Sequence, residues 1–209
     1  MSIYPLTLLR TAELALAAIL TLLPGVARAQ EKQAPVAGPP LSSFTALRVA
    51  IVPVQFWQAD SLGWSREVRW ATTRLALDSA VAEVLQTRGL SNKWAFAGDI
   101  ARAAKRNPTY AADPYALGVG RLRGVELQAG GDVSPQLYDN LRTVTALGDA
   151  RYALIPVELR VQGEQVVLRL VMIDTRARNL VWAGELLSPG GTSLIAGLAT
   201  RLADLIIEP

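Results

Sequence analysis

The clearest alternation of apolar and polar positions lies in the last third of the chain. Across Tyr152–Val161 (YALIPVELRV) and Val166–Asp174 (VVLRLVMID), the residues Leu159, Val161, Val166, Leu168, Leu170 and Met172 alternate with Glu158, Arg160, Arg169 and Val171. A period of two predicts strands with one partly wet face. Leu180–Leu187 (LVWAGELL) predicts a third strand, with Trp182 in the core. The links Gln162–Glu164 and Thr175–Asn179 are short, so these strands form a meander of hairpins. Much earlier, Leu47–Val54 (LRVAIVPV) is continuously apolar apart from Arg48, which predicts a strand buried on both faces.

Between these regions the spacing turns helical. Val68, Leu75, Leu77, Val81, Val84 and Leu85 recur on one stripe of a long helix over Arg66–Arg88, with Ser65 as its N-cap and Gly89 as its left-handed stop. Gln55–Gly63 predicts a loop, and Lys93–Ala97 a short strand. Asp99 is positioned to cap a helix over Ile100–Arg106, which Asn107-Pro108 ends by excluding the α region before proline. Asp113-Pro114 predicts a further helical start, ending at Leu117. Ser134-Pro135 opens Gln136–Leu147, with Leu137, Leu141, Val144 and Leu147 on one face and Gly148 as its stop. Ser193 caps Leu194–Ile207, whose Ile195, Leu198, Leu202, Leu205 and Ile206 point inward. The order β-α-β-α-α-α-β-β-β-α predicts an α/β (α+β) fold, a mixed β-sheet with helices covering it.

The first 29 residues follow another logic. Arg10 precedes an apolar run from Leu14 to Leu23, Pro24 and Gly25 break it, and Ala27-Arg28-Ala29 has small residues where a signal peptidase reads. This is the layout of a secretory signal peptide cleaved after Ala29. The run is well short of the roughly 20 residues that cross a bilayer. No membrane span is expected after cleavage; an uncleaved anchor, suggested by Glu13, is the alternative. Residues 30–45 read as a flexible Pro/Ala/Gly-rich linker and residues 46–209 as a single α/β domain. The expected location is periplasmic or secreted.

Composition narrows the chemistry. The 209 residues contain no cysteine and no histidine. That excludes disulfides, thiolate metal sites, lipidation at a cysteine, His-based triads and the usual zinc and haem sites. No cofactor, no metal and no catalytic residue is expected. The formal charge is +3; the first 29 residues carry two arginines and one glutamate, leaving +2 on the remainder. So small an excess predicts no nucleic-acid partner.

The VAIVPV-type strand leading to a long helix, the late ARYALIPVEL and VVLRLVMIDTRARNLVWAGEL stretches and the apolar final helix together resemble the amino-terminal domain family of TolB and the related periplasmic modules of CsgG and LpoB. The resemblance covers residues 46–209 and implies an envelope module that binds other proteins and has no catalytic residues of its own. CsgG and LpoB are lipoproteins, whereas this chain has no cysteine to lipidate. The alternating pair Tyr152–Asp174 carries Arg160 and Arg169, which argues against the pore hairpins of CsgG.

Candidate binding residues gather after the first strand, where Phe56, Trp57, Asp60 and Trp64 give aromatic area and one acceptor for a partner or a sugar. The same aromatics could instead cover the end of the core. Gly118-Val-Gly120-Arg-Leu-Arg-Gly124 lacks the third glycine and the preceding strand of a dinucleotide loop. Arg102, Lys105, Arg106, Arg121 and Arg123 read as a solvated basic face, and Asp99, Asp113, Asp132 and Asp174 as cap and turn residues. The expectation is therefore an exported, non-enzymatic envelope module that binds another periplasmic or outer-membrane protein, possible oligomers being left open. Its alternatives are a carbohydrate- or peptidoglycan-binding module using the Trp57/Trp64 loop, and a carboxylate-based hydrolase.

Overall fold

Strand Tyr152–Gln162 (β4) organises the fold, because three other strands pair with it. The computed structural model describes residues 40–58, 65–66, 68–124 and 126–207. These belong to the second of two units, Met1–Ala37 and Gly38–Pro209. Residues 1–39, which hold the expected signal peptide and most of the expected linker, lie outside the described residues, as do Asp60 and Trp64.

The elements are β1 (Val49–Ile51), β2 (Phe56–Gln58), α1 (Trp70–Leu85), β3 (Trp94–Ala95), α2 (Ala97–Arg106), α3 (Pro135–Ala146), β4, β5 (Gln165–Asp174), β6 (Asn179–Pro189) and α4 (Leu194–Asp204). The sheet runs β3-β1-β4-β5-β6, with β2 also on β4. β1 is parallel to β3 and β4, β2 is parallel to β4, and the meander β4-β5-β6 is antiparallel. The mixed sheet is the one expected.

The stretch after β1 departs from the expected loop. β1 and β2 are two pieces of one broken line along β4, bridged by Val52 N–H to the Leu154 carbonyl and Gln55 N–H to the Pro156 carbonyl. Pro53 has no N–H to give, and the β4–β5 register slips between Pro156 and Glu158. Prolines on both sides therefore interrupt the ladder without ending it.

Both faces of the sheet are covered. On one, α1 and α4 bring Leu77, Val81, Leu85, Leu198 and Leu202 against Leu168, Leu170 and Met172. On the other, α2 and α3 bring Ile100, Leu137, Leu141 and Val144 against Ile155, Val171 and Ile173. The expected wet face is correspondingly small: Glu158 is 2% exposed, and on β4 and β5 only Arg160, Arg169 and the strand ends are partly open. Trp182 packs half-buried against the α1–α4 side. Packing reaches back to Leu41, which is buried and donates its N–H to the Leu205 carbonyl at 2.8 Å.

Several local signals are spent differently from the expectation. Ser65 is buried and closes its own turn by accepting from Val68 N–H; α1 starts later, with Arg69 at its N-cap position. Phe96 occupies the N-cap position of α2, and Asp99 sits inside the first turn, where its charge still suits the helix dipole. Asp113-Pro114 opens no helix, because the Asp113 carboxylate accepts the Tyr115 N–H and holds a turn instead. Ser193 has helical dihedrals and makes no side-chain cap. Ser134, by contrast, accepts from Leu137 N–H and caps α3 as expected. At the far end of α3 the left-handed residue is Asp149 (φ 48°), not Gly148. Gly148 is required for space, since a Cβ there would lie 2.6 Å from that of Ala95 on β3. Gly89 does take φ 94°, inside a wider helical turn over Gln86–Leu90.

Candidate functional site

Phe56 and Trp57, the described members of the expected binding loop, are neighbours on β2 and therefore point to opposite faces. Trp57 stacks on Trp70 of α1, with ring centroids 5.2 Å apart and planes within 14°. The Arg74 guanidinium lies 5.5 Å from the Trp70 ring and 4.2 Å from that of Tyr115. A column Trp57–Trp70–Arg74–Tyr115 thus runs from the sheet to the helical surface, and one face of Trp57 is occupied within the fold.

Phe56 belongs to a polar row on the other face. Its ring lies 3.3 Å below the Arg123 guanidinium, which donates to Glu158 Oε1 from Nε and Nη2 at 3.1 and 3.0 Å. Phe56, Glu158, Arg169 and Glu185 are in register across β2, β4, β5 and β6. Arg160 and Arg169 share Glu185 Oε1, each at 2.9 Å. The row ends on β6, at the edge of the sheet. Of the expected basic face, Arg123 is therefore engaged with Glu158, and Arg102 is ion-paired with Asp99 on α2.

The β6 edge is long. Leu180 exchanges bonds with Gly130 and Gly131, and Gly190 N–H reaches back to the Glu164 carbonyl. The alternation of an antiparallel ladder then turns the main-chain groups of Ala183, Glu185 and Leu187 outward. Among the described residues these have no main-chain partner. Leu187 beside them is 51% exposed. The opposite edge, β3, is two residues long.

A groove of about 920 Å³ lies between α1, α2 and the segment 108–115. Its walls include Leu75, Ala82, Phe96, Ala101 and Ala104, with Tyr115 at one side. Asp78 lines it at 9% exposure. Burial pushes the Asp78 carboxyl up to about 7, against the Val54 N–H and the Arg74 charge, which favour ionisation. Its Oδ2 is buried with no hydrogen-bond partner among the described residues. Burial and then the Asp78 charge push the Tyr115 hydroxyl upward. Two other carboxylates on the rim are committed to the fold, Asp99 to Arg102 and Asp113 to the Tyr115 turn.

Asp78 escaped the sequence reading although a signal existed. It sits three residues before Val81 and seven before Leu85, so a carboxylate occupies a position of the apolar stripe. Asp174 is the turn residue it was expected to be: it accepts from Arg176 and Ala177 N–H at 2.8 and 3.1 Å and from Arg151. The glycine-rich stretch 118–124 holds a short helical turn over Val119–Leu122. Among the described residues no cluster of acidic groups could hold a metal, and no helix is long and apolar enough to cross a membrane.

No family model matches the chain, and no curated protein is similar to it in sequence. Among solved structures it is similar to the LpoB C-terminal domain from Salmonella enterica, at 12% identity and TM-score 0.36 over 76% of this chain and 89% of that one. It is similar to the PelC dodecamer from Paraburkholderia phytofirmans, at 14% identity and TM-score 0.38 over 83% and 95%. It is similar to the lipoprotein GNA1162 from Neisseria meningitidis, at 11% identity and TM-score 0.40 over 75% and 96%. The likeness to the LpoB module is one of fold, and no residue of the sites above is assigned by it.

Proposed function

We propose that the chain is an exported, non-enzymatic envelope module that binds a partner protein by accepting a strand on the β6 edge. The observation that carries this reading is the outward main chain of Ala183, Glu185 and Leu187, unpaired among the described residues next to an exposed Leu187. A strand edge of this length is a template for pairing unless something covers it. The polar row reaching Glu185 gives that edge a charged register mark, so an incoming strand is read by side chains as well as by backbone. Export is supported by the three-part layout of residues 1–29, and the groove carboxylates Asp99 and Asp113 already have structural work.

The test is photo-crosslinking in native envelopes from position 187, with position 110 as the control because Tyr110 is exposed on another surface. The proposal expects one discrete partner from 187 and none from 110. Leu187→Pro removes an outward N–H without breaking the β5–β6 ladder, and is expected to abolish that crosslink when the probe is moved to position 185. The same partner captured from 110, or capture untouched by the proline, sinks the reading. Sequencing the mature amino terminus checks cleavage after Ala29.

A further inference from the structure

Strand pairing at β6 makes no use of the groove on the helical face. We propose that the groove between α1 and α2 is a binding site for a small organic cation, a single ammonium group on an apolar body, with the Asp78 carboxylate as its counter-charge.

Three observations converge on that chemistry. First, Asp78 is a carboxylate placed on the apolar stripe of α1, nine-tenths buried, with Oδ2 unfilled among the described residues. A buried charge without a partner is costly, and a protein normally supplies one. Arg74, one helical turn away, acts on Asp78 through space, but its guanidinium lies over the Tyr115 ring. Second, the space behind Asp78 offers no substitute. The void there is about 10 Å³ and is otherwise lined by groups such as Val54, Leu77, Val81, Phe96 and Leu168. A water in it would lack the two to four polar partners it needs, so the groove is the side from which a donor can come. Third, the groove suits the rest of such a ligand. About 920 Å³ is the size of a small-molecule site. Leu75 lies in its wall at 56% exposure, an apolar cost that an occupant would remove. The charge balance also selects for a cation. With Asp99 neutralised by Arg102, the remaining wall charges are Asp78, Glu83 and Asp113 against Lys105, in a protein whose overall charge is positive.

The test titrates the full chain with octylammonium, octanol and octanoate below their aggregation thresholds, by calorimetry and by amide chemical shifts. Octylammonium is expected to bind at least tenfold more tightly than octanol, and octanoate not at all, with shifts confined to α1, α2 and residues 108–115. Asp78→Asn is expected to erase the preference for the cation while leaving octanol binding unchanged. Ala101→Trp, which fills the groove and keeps Asp78, is expected to abolish binding of both. Equal affinity for octylammonium and octanol, an unchanged octylammonium affinity in Asp78→Asn, or shifts centred elsewhere overturns the proposal. Leu187→Pro is expected to leave octylammonium binding intact, so a failure here and a failure at the β6 edge are read separately.

Discussion

The fold buries carboxylates in two regions and treats them in opposite ways. On the sheet, Glu158 and Asp174 are both buried and both answered: Arg123 grips Glu158, while Arg151 and two backbone amides grip Asp174. Burial works against the Asp174 charge, but the Arg151 bond and the amides of Ala177 and Arg176 outweigh it and hold the carboxyl below its usual range. On α1, Asp78 is about as well buried and has one backbone amide, no ion pair, and a carboxyl pushed up to about 7. The difference separates completed structure from unfilled capacity. A buried charge with its partner in place belongs to the scaffold; one beside an open groove without a partner marks where something else is to bind.

The sharpest way to break this contrast is Arg123→Met. It removes the cation that hydrogen-bonds Glu158 and leaves Arg160 at 4.0 Å as the remaining one; breaking a buried pair costs about 3–5 kcal/mol, an upper bound here because Arg160 stays. Urea unfolding at pH 7 measures it, and a loss under about 1 kcal/mol would remove the scaffold half of the comparison. Asp174→Asn should cost about 2 kcal/mol at neutral pH, as expected for losing hydrogen bonds to a charged acceptor. The sign with pH follows from linkage. Because the folded carboxyl titrates below its usual range, its contribution is present above the unfolded value and fades as pH falls through the folded one. The gap between wild type and Asp174→Asn should therefore narrow on acidification.

Asp78→Asn should act the other way. The folded carboxyl titrates near 7 against an ordinary 3.8, so the charged form weakens the fold increasingly from about pH 4 to about pH 7. The full difference is an upper bound of about 4 kcal/mol. An unsatisfied Asn amide takes back roughly 1–3 kcal/mol of that. The variant should therefore be about 2 kcal/mol more stable than wild type at pH 8 and less stable than wild type near pH 4, read from thermal unfolding of both proteins at the two pH values. A variant that loses stability as pH rises in parallel with wild type would mean that Asp78 is not the titrating group. The smallest effect is expected at the edge, where Leu187→Lys should change stability by no more than about 0.5 kcal/mol, since Leu187 is half exposed and outside the core.

Sequence patterning reached the regular parts of this fold and stopped at its side-chain commitments. β4, β5 and β6 were legible because their apolar runs are long and bounded by turns, and α3 because Ser134-Pro135 is a start signal with a single outcome. Asp113 and Asp99 also carry start signals, but each carboxylate had another local bond within reach. Local competition of that kind has no periodicity to read. β2 was missed because Gln55–Gly63 carries no alternation and reads as a loop, whereas β4 continues alongside it and pairs with Phe56–Gln58. Of the expected site, Phe56 and Trp57 proved to have partners inside the fold, Arg123 and Trp70. Those partners are distant in the chain, so no local pattern could pair them. Asp78 was visible as a polar break in a stripe, but only its burial in the fold distinguishes it from an exposed neighbour.

The single bond between Leu41 and Leu205 has a mechanical meaning. It ties the first described turn to the end of α4, so two stretches far apart in the sequence lie side by side. Force that drew Leu41 away from Leu205 would open that bond first, like the teeth of a zip. The long ladders between β4, β5 and β6 would stay slack, and a module hung in this way is loosened at its hem before its fabric is strained.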